Sequence, residues 1–217
     1  MIKRLREPVN GLTHIAGAAL AAVGLVVLVW IAAANGNVKH MVAFTIFGLS
    51  MLGLYTSSAL YHSLPLPTVG VPRWRRIDHM MIYVLIAGTY TPICLIALKG
   101  IWGWGLLVLI WGLALGGVAF KVFWMHAPTW LSISLYIAMG WTAIIAVPEV
   151  YRALPPGALA WIVIGGIVYT MGALVLGIGK PNLAPGKFGP HELWHLFVLA
   201  GSACYFWVML RYIAPLA

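Results

Sequence analysis

Three histidines have the residue type and spacing to hold a metal ion. His191 and His195 are four residues apart, so on a helix their rings share one face and can bind one ion. His62 follows Ser58 by the same interval in an earlier apolar segment. Three neutral imidazoles with an open fourth position form the ligand set of a catalytic zinc, although imidazole also binds other late transition metals. The sequence therefore predicts a metal site, with zinc as the preferred ion.

Two acidic residues compete for the role of catalytic base. Asp78 could orient or deprotonate a water molecule at the metal, and Ser58 could donate a hydrogen bond to a developing oxyanion or to a ligand. Glu192 stands between the histidines in the pattern His-Glu-x-x-His, in which the glutamate of some metalloproteases is the base. A structural role for Asp78 stays open as well, because it could pair with Arg75 or Arg76 or cap its helix.

A second polar group opens the first apolar segment, where Glu7, Asn10 and His14 lie within about two helical turns. Together with Glu192, these residues could hydrogen-bond to the metal ligands on the side that faces away from the ion. They could also gate the entrance to the site, or only cap and anchor the helix.

Other chemically active side chains are expected outside the site. His40 and His126 fall between apolar segments, so we expect both to be exposed to solvent. Cys94 and Cys204 lie inside apolar runs, which argues against a disulfide framework.

The composition requires a membrane. Of the 217 residues, 63% are hydrophobic and only 8% are charged, whereas a soluble domain is about 25% charged. So few charges cannot cover a water-facing surface, and a soluble enzyme or a disordered chain is excluded. The net charge of +9 comes from basic residues in short gaps between apolar runs. That pattern sets membrane orientation and does not indicate a nucleic-acid partner.

Seven segments have the roughly 20 apolar residues that a membrane-spanning helix needs. We predict an all-α integral membrane protein, a seven-helix bundle that forms one domain over residues 1–217. Pro92 lies inside the third segment and should kink it. The predicted spans are Leu12–Ala34, Met41–His62, Ile77–Leu98, Ile101–Phe120, Thr129–Val147, Gly157–Ile178 and His191–Ile213.

The distribution of Lys and Arg predicts the orientation of the bundle. Nine of these residues lie on the side of the N-terminus and four on the opposite side. Because cytoplasmic loops carry the basic excess, the N-terminus should be cytoplasmic and the C-terminus outside. The nine are Lys3, Arg4, Arg6, Arg73, Arg75, Arg76, Lys121, Lys180 and Lys187.

The same topology brings the polar segment ends to one depth near the cytoplasmic face. A charged side chain at the centre of a membrane helix costs about 2.5–3.5 kcal/mol on insertion scales, so a charge in a span suggests a function. The residues that should meet at this depth are Ser58, His62, Asp78, His191 and His195.

The chain resembles the hemolysin III family, the bacterial branch of the progestin and adipoQ receptor family. The resemblance covers nearly the whole chain. Its motifs are Glu7-Pro8-x-Asn10-x-x-x-His14, Ser58-x-x-x-His62, Asp78-His79 and Gly189-Pro190-His191-Glu192-x-x-His195. In the receptor branch, histidines that match His62, His191 and His195 bind zinc, and an aspartate that matches Asp78 contacts the water at that zinc.

The resemblance implies a zinc-dependent activity on lipids. The wider superfamily includes alkaline ceramidases and is associated with metal-dependent hydrolysis of lipid amides. We therefore expect a multi-pass protein of the plasma membrane, the inner membrane of a bacterium, that uses Zn²⁺ to hydrolyse a lipid amide or ester. The lipid would enter sideways between helices. Two alternatives stay open: a cytolytic or pore-forming protein, as the name hemolysin implies for some members, and a sensor or regulator of membrane state with a structural zinc.

Overall fold

The computed structural model describes residues 5–65 and 70–216, and this part of the chain forms seven helices long and apolar enough to cross a membrane. The predicted seven-helix membrane bundle is confirmed. Lys3 and Arg4, which enter the orientation count, lie outside the described residues. The helices are α1 (Pro8–Ala34), α2 (Val38–Ser63), α3 (Gly70–Ala97), α4 (Gly100–Phe123), α5 (Thr129–Ala153), α6 (Pro156–Ile178) and α7 (Pro190–Ile213).

Helix α3 begins at Gly70, seven residues before its predicted start at Ile77. Its first two turns carry three arginines, and a search for apolar residues does not detect such turns although they are helical. Asp78 therefore lies in the third turn of α3 and is not an N-cap. After Pro92 the helix continues as the π-helix Ile93–Ala97. Proline supplies no N–H for the carbonyl four residues earlier, which favours a local change of helix type.

Helix α5 is interrupted near its middle. It comprises an α-helix Thr129–Gly140, a 3₁₀ helix Thr142–Ala146 and a second α-helix Val147–Ala153. The hydroxyl of Tyr90 in α3 donates to the carbonyl oxygen of Gly140 at 2.6 Å and accepts from the backbone N–H of Ala143 at 2.9 Å. Backbone groups freed inside a membrane need a partner from the protein, and Tyr90 provides one on each side of the interruption.

Side-chain contacts show which helix termini lie together at one end of the bundle. The start of α1 contacts the end of α2 at His62 and the start of α7 at Glu192. The end of α4 contacts the start of α5 through Lys121 and Ser132. We call this region the histidine end, because it contains His14, His62, His79, His191 and His195.

Glycines permit the closest helix approaches. A Cβ on Gly17 of α1 would lie 2.7 Å from Tyr55 Cδ1 in α2 and 2.8 Å from Leu199 Cδ2 in α7. A Cβ on Gly117 of α4 would overlap the ring of Tyr83 in α3. Small residues let membrane helices pack at short distance, and Gly117 thereby sets the separation of α3 and α4 next to the histidine end.

Gly117→Ala should destabilise the bundle by about 1–3 kcal/mol, because the added methyl group would displace the buried ring of Tyr83. Gly112 lies on the same helix with open space beside it, so Gly112→Ala should leave stability unchanged or slightly raised. Thermal unfolding of both variants in one detergent gives the comparison. A Gly117→Ala midpoint equal to that of the wild type would contradict the close packing of α3 and α4.

The proposed orientation predicts an external C-terminus. Alkaline phosphatase folds into an active enzyme only outside the cytoplasm, so its fusion to the C-terminus should be active. A fusion in the loop that carries Lys180 and Lys187 should be inactive, because that loop is expected in the cytoplasm. The reverse pattern of activities would invert the topology.

Candidate metal centre

The structure brings the three predicted metal ligands together at the histidine end. Ring nitrogens of His62, His191 and His195 all lie within 4.8 Å of one another. The Nε2 atoms of His62 and His191 are 3.4 Å apart. His62 and His195 are buried, and His191 is half-buried. This group, which we call the histidine cluster, could hold a metal ion.

Glu7 orients the imidazole of His62. Its Oε2 atom lies 2.6 Å from His62 Nδ1, and its backbone N–H donates to the carbonyl oxygen of His62 at 2.9 Å. The hydrogen bond with His62 is the largest cause that lowers the pKa of Glu7, to about 2, so this carboxylate is ionised at neutral pH. Donation from Nδ1–H to the carboxylate leaves a lone pair on Nε2, the atom that faces His191.

Asn10 and Glu192 join the start of α1 to the start of α7. The Asn10 amide donates to Glu7 Oε2 at 3.1 Å and to Glu192 Oε1 at 2.9 Å. The other oxygen of Glu192 accepts from the backbone N–H of Gly189 at 2.8 Å, which caps α7. Both carboxylate oxygens of Glu192 therefore accept hydrogen bonds from groups near helix ends.

His14 packs flat on one ligand of the cluster. Its ring centroid lies 3.6 Å from that of His195, and the two ring planes are 9° apart. The ring also contacts Tyr55 edge-on, at a centroid distance of 5.1 Å. Neither ring nitrogen of His14 has a hydrogen-bond partner in the described part of the chain. The stacking restricts the orientation of the His195 ring, as a tightly packed neighbour does.

Asp78 and Ser58 line a cavity of about 150 Å³ that His191 and His195 of the histidine cluster also line. The side chain of Asp78 is buried, and among the described residues no cation lies within 4.0 Å of its carboxylate. Neither the cap nor the ion pairs with Arg75 or Arg76 that the sequence left open are present. The hydroxyl of Ser58 is also buried, without a hydrogen-bond partner in the same described ranges.

Comparison with known proteins identifies the family of this site and fold. A family model described as "Haemolysin-III related" matches residues 2–206. The chain is 41% identical over 211 residues to Hemolysin-3 of Bacillus cereus, which covers 97% of this chain and 93% of that protein. It is 44% identical over 207 residues to a Hemolysin-3 homolog of Bacillus subtilis (strain 168), which covers 95% and 93%.

The chain belongs to the hemolysin III family. A more distant relative is the monocyte to macrophage differentiation factor of Homo sapiens, 24% identical over 180 residues, 77% of this chain and 69% of that protein. The resemblance carried by the sequence motifs is thereby confirmed. Together with the seven helices, membership makes this hemolysin III chain a multi-pass membrane protein.

The cavity wall also includes residues that were not predicted as parts of the site, among them Arg75, His79, Lys121 and Ser132. The amine of Lys121 donates to Ser132 Oγ at 2.6 Å. A signal for Lys121 is present in the sequence, because it continues at intervals of three or four residues a stripe of small and apolar side chains. The stripe consists of Gly103, Leu106, Ile110, Ala114 and Gly117, all buried in α4.

The prediction that His40 is solvent-exposed was wrong. Helix α2 begins at Val38, before the predicted Met41, so His40 falls in its first turn and is buried. Its ring packs edge-on against Phe44 at a centroid distance of 5.7 Å. His126 is exposed as predicted, and both cysteines are free thiols.

Protein purified without chelators should carry about one transition-metal ion per chain, because three imidazoles on two helices converge there. His191→Ala should lose the ion. His126→Ala should retain it, since this exposed histidine lies outside the cluster. Inductively coupled plasma mass spectrometry gives the stoichiometry and the identity of the metal. Equal metal content in all three proteins would exclude the histidine cluster as the binding site.

Proposed function

We propose that this protein is a zinc-dependent hydrolase of lipid amides or esters. The observation that carries the proposal is a cluster of three histidine nitrogens within a membrane bundle, where two of the histidines, His191 and His195, line the same cavity as a buried carboxylate without a cationic partner among the described residues. Apolar side chains of α3 and α5, among them Ile82, Ile86 and Ile133, form other parts of the cavity wall. Such a cavity suits a substrate that carries acyl chains.

One pair of donor atoms has the spacing of zinc ligands. Tetrahedral coordination with Zn–N distances of about 2.0–2.1 Å places two ligand nitrogens about 3.3–3.4 Å apart. The Nε2 atoms of His62 and His191 are separated by 3.4 Å. The contact of Glu7 with His62 also matches the carboxylate–histidine arrangement that fixes the tautomer of a zinc ligand and raises its basicity. A zinc ion held by these histidines would supply Lewis-acid activation of a water molecule and of the substrate carbonyl.

Asp78 is the proposed general base. Its carboxylate lines the cavity without a cationic partner among the described residues, whereas both oxygens of Glu192 hold helix ends. Asp78 accepts a proton from the attacking water and returns it to the departing amine or alcohol. The free hydroxyl of Ser58 donates a hydrogen bond to the carbonyl oxygen of the substrate as negative charge develops there.

A structural metal in a membrane-state sensor is the second candidate. The observation in its favour is that the ligands come from two helices: His62 ends α2, and His191 and His195 begin α7. An ion at this place would join the helices whether or not any substrate is turned over. A cytolytic pore, suggested by the name of the Bacillus cereus relative, has less support. The charged groups that line the cavity (Arg75, Asp78 and Lys121) all lie at the histidine end, and a pore needs polar lining across the whole membrane.

Asp78→Asn should lower lipid hydrolysis by about 10²–10⁴-fold while bound zinc is retained, because the amide cannot accept a proton. Glu192→Gln is the matched control and should retain most of the activity. Release of fatty acid from a panel of lipid amides and esters measures turnover, and metal analysis of the same samples measures zinc.

Full activity of Asp78→Asn would remove the base from the proposal. A wild type that binds zinc and hydrolyses no member of the panel, but loses thermal stability in chelator, would favour the structural metal.

A further inference from the structure

Lys121 is a buried cation without an acidic partner. Its side chain is 2% exposed and belongs to the last turn of α4. The chain has four acidic side chains, Glu7, Asp78, Glu149 and Glu192. None of the four lies within 4.0 Å of the Lys121 amine. Burial of an ammonium group costs free energy unless an anion pairs with it. The four acidic side chains do not supply that anion.

The hydrogen bonds of Lys121 leave capacity for a ligand. Ser132 is its one hydrogen-bond acceptor in the described part of the chain, at 2.6 Å. An ammonium group has three N–H donors, so two are available to a group in the cavity that Lys121 lines. The dipole of α4 favours a cation in the last helical turn, but a dipole does not use these donors.

Further donors line the same cavity. Arg75 and His79 of α3 line the cavity together with Lys121 of α4 and Ser132 of α5. Arg75 is exposed, and His79 Nδ1 is buried without a hydrogen-bond partner among the described residues. We call these four residues the basic wall. It combines a guanidinium group and an amine with neutral donors, and none of its four residues is a carboxylate.

We infer that the basic wall binds the anionic head group, a carboxylate or a phosphate, of an amphiphile whose chain lies along the apolar side chains of the same cavity. The inference rests on the proposed function in one respect, namely that this amphiphile is the substrate and its scissile bond lies at the histidine cluster. The substrate class then narrows to acyl lipids with an anionic head group. A neutral lipid amide would leave Lys121 buried without a counter-charge.

Ligands that share one alkyl chain test the inference directly. The full-length protein in phosphatidylcholine nanodiscs is titrated with radiolabelled dodecyl phosphate, dodecanoate and dodecanol, with empty nanodiscs subtracted. The wild type should bind at least one of the two anions about tenfold or more tightly than the alcohol. Equal affinities for all three ligands would overturn the inference. Displacement of dodecyl phosphate by an equal concentration of inorganic phosphate would overturn the assignment to an amphiphile and identify free phosphate as the ligand.

Variants locate the anion. Lys121→Gln removes the charge and keeps a donor for Ser132, and it should abolish the preference for the anion. Lys187→Gln removes an exposed lysine outside the cavity and should leave the preference unchanged. If Lys121→Gln does not fold, Arg75→Gln on the exposed part of the basic wall should reduce the preference about threefold or more. An unchanged preference in the folded Lys121 variant, or in its Arg75 substitute, would exclude the basic wall as the site.

Binding and turnover separate this inference from the proposed function. An anion preference in a wild type that hydrolyses nothing would support the binding site and contradict the hydrolase. Hydrolysis of neutral amides without any anion preference would support the hydrolase and contradict the anion-binding site.

Discussion

Polar groups inside a hydrocarbon layer must find their partners within the protein, and this constraint governs the histidine end. Glu7 binds His62 through both its side chain and its backbone. Asn10 connects Glu7 to Glu192, which in turn caps α7. The contacts that satisfy these polar groups are the same contacts that join α1, α2 and α7. At this end, the hydrogen bonds that join the helices therefore also position the side chains of the site.

The number of spans could be predicted because a membrane imposes both length and composition on each helix. The start of α3 and the interruption of α5 could not be predicted in this way. The first two turns of α3 are rich in arginine, so apolar content alone places the start of this helix too late. The interruption of α5 depends on Tyr90, which lies about 50 residues earlier in the chain and comes close only when the helices pack.

The cluster of three histidines could be predicted because residues four apart on a helix share a face, as His191 and His195 do, and because alternating spans bring His62 to the same depth. The choice between Asp78 and Glu192 could not be made from spacing. In the structure, both carboxylate oxygens of Glu192 accept hydrogen bonds from groups near helix ends. The burial of His40 was missed because apolar content places the start of α2 too late, whereas Lys121 continues a buried stripe of α4 that the sequence does contain.

The distribution of the histidine cluster along the chain has a consequence for biosynthesis. His62 and His191 are separated by 129 residues, and the second and third ligands arrive with the last of the seven helices. During synthesis, the first two helices can already form the contact between Glu7 and His62 while the rest of the cluster is still being translated. A nascent chain therefore acquires the complete set of three imidazoles only after α7 has entered the membrane. Any metal loading that requires all three imidazoles would then have to follow the insertion of α7 and would mark the chains in which the seven helices are present.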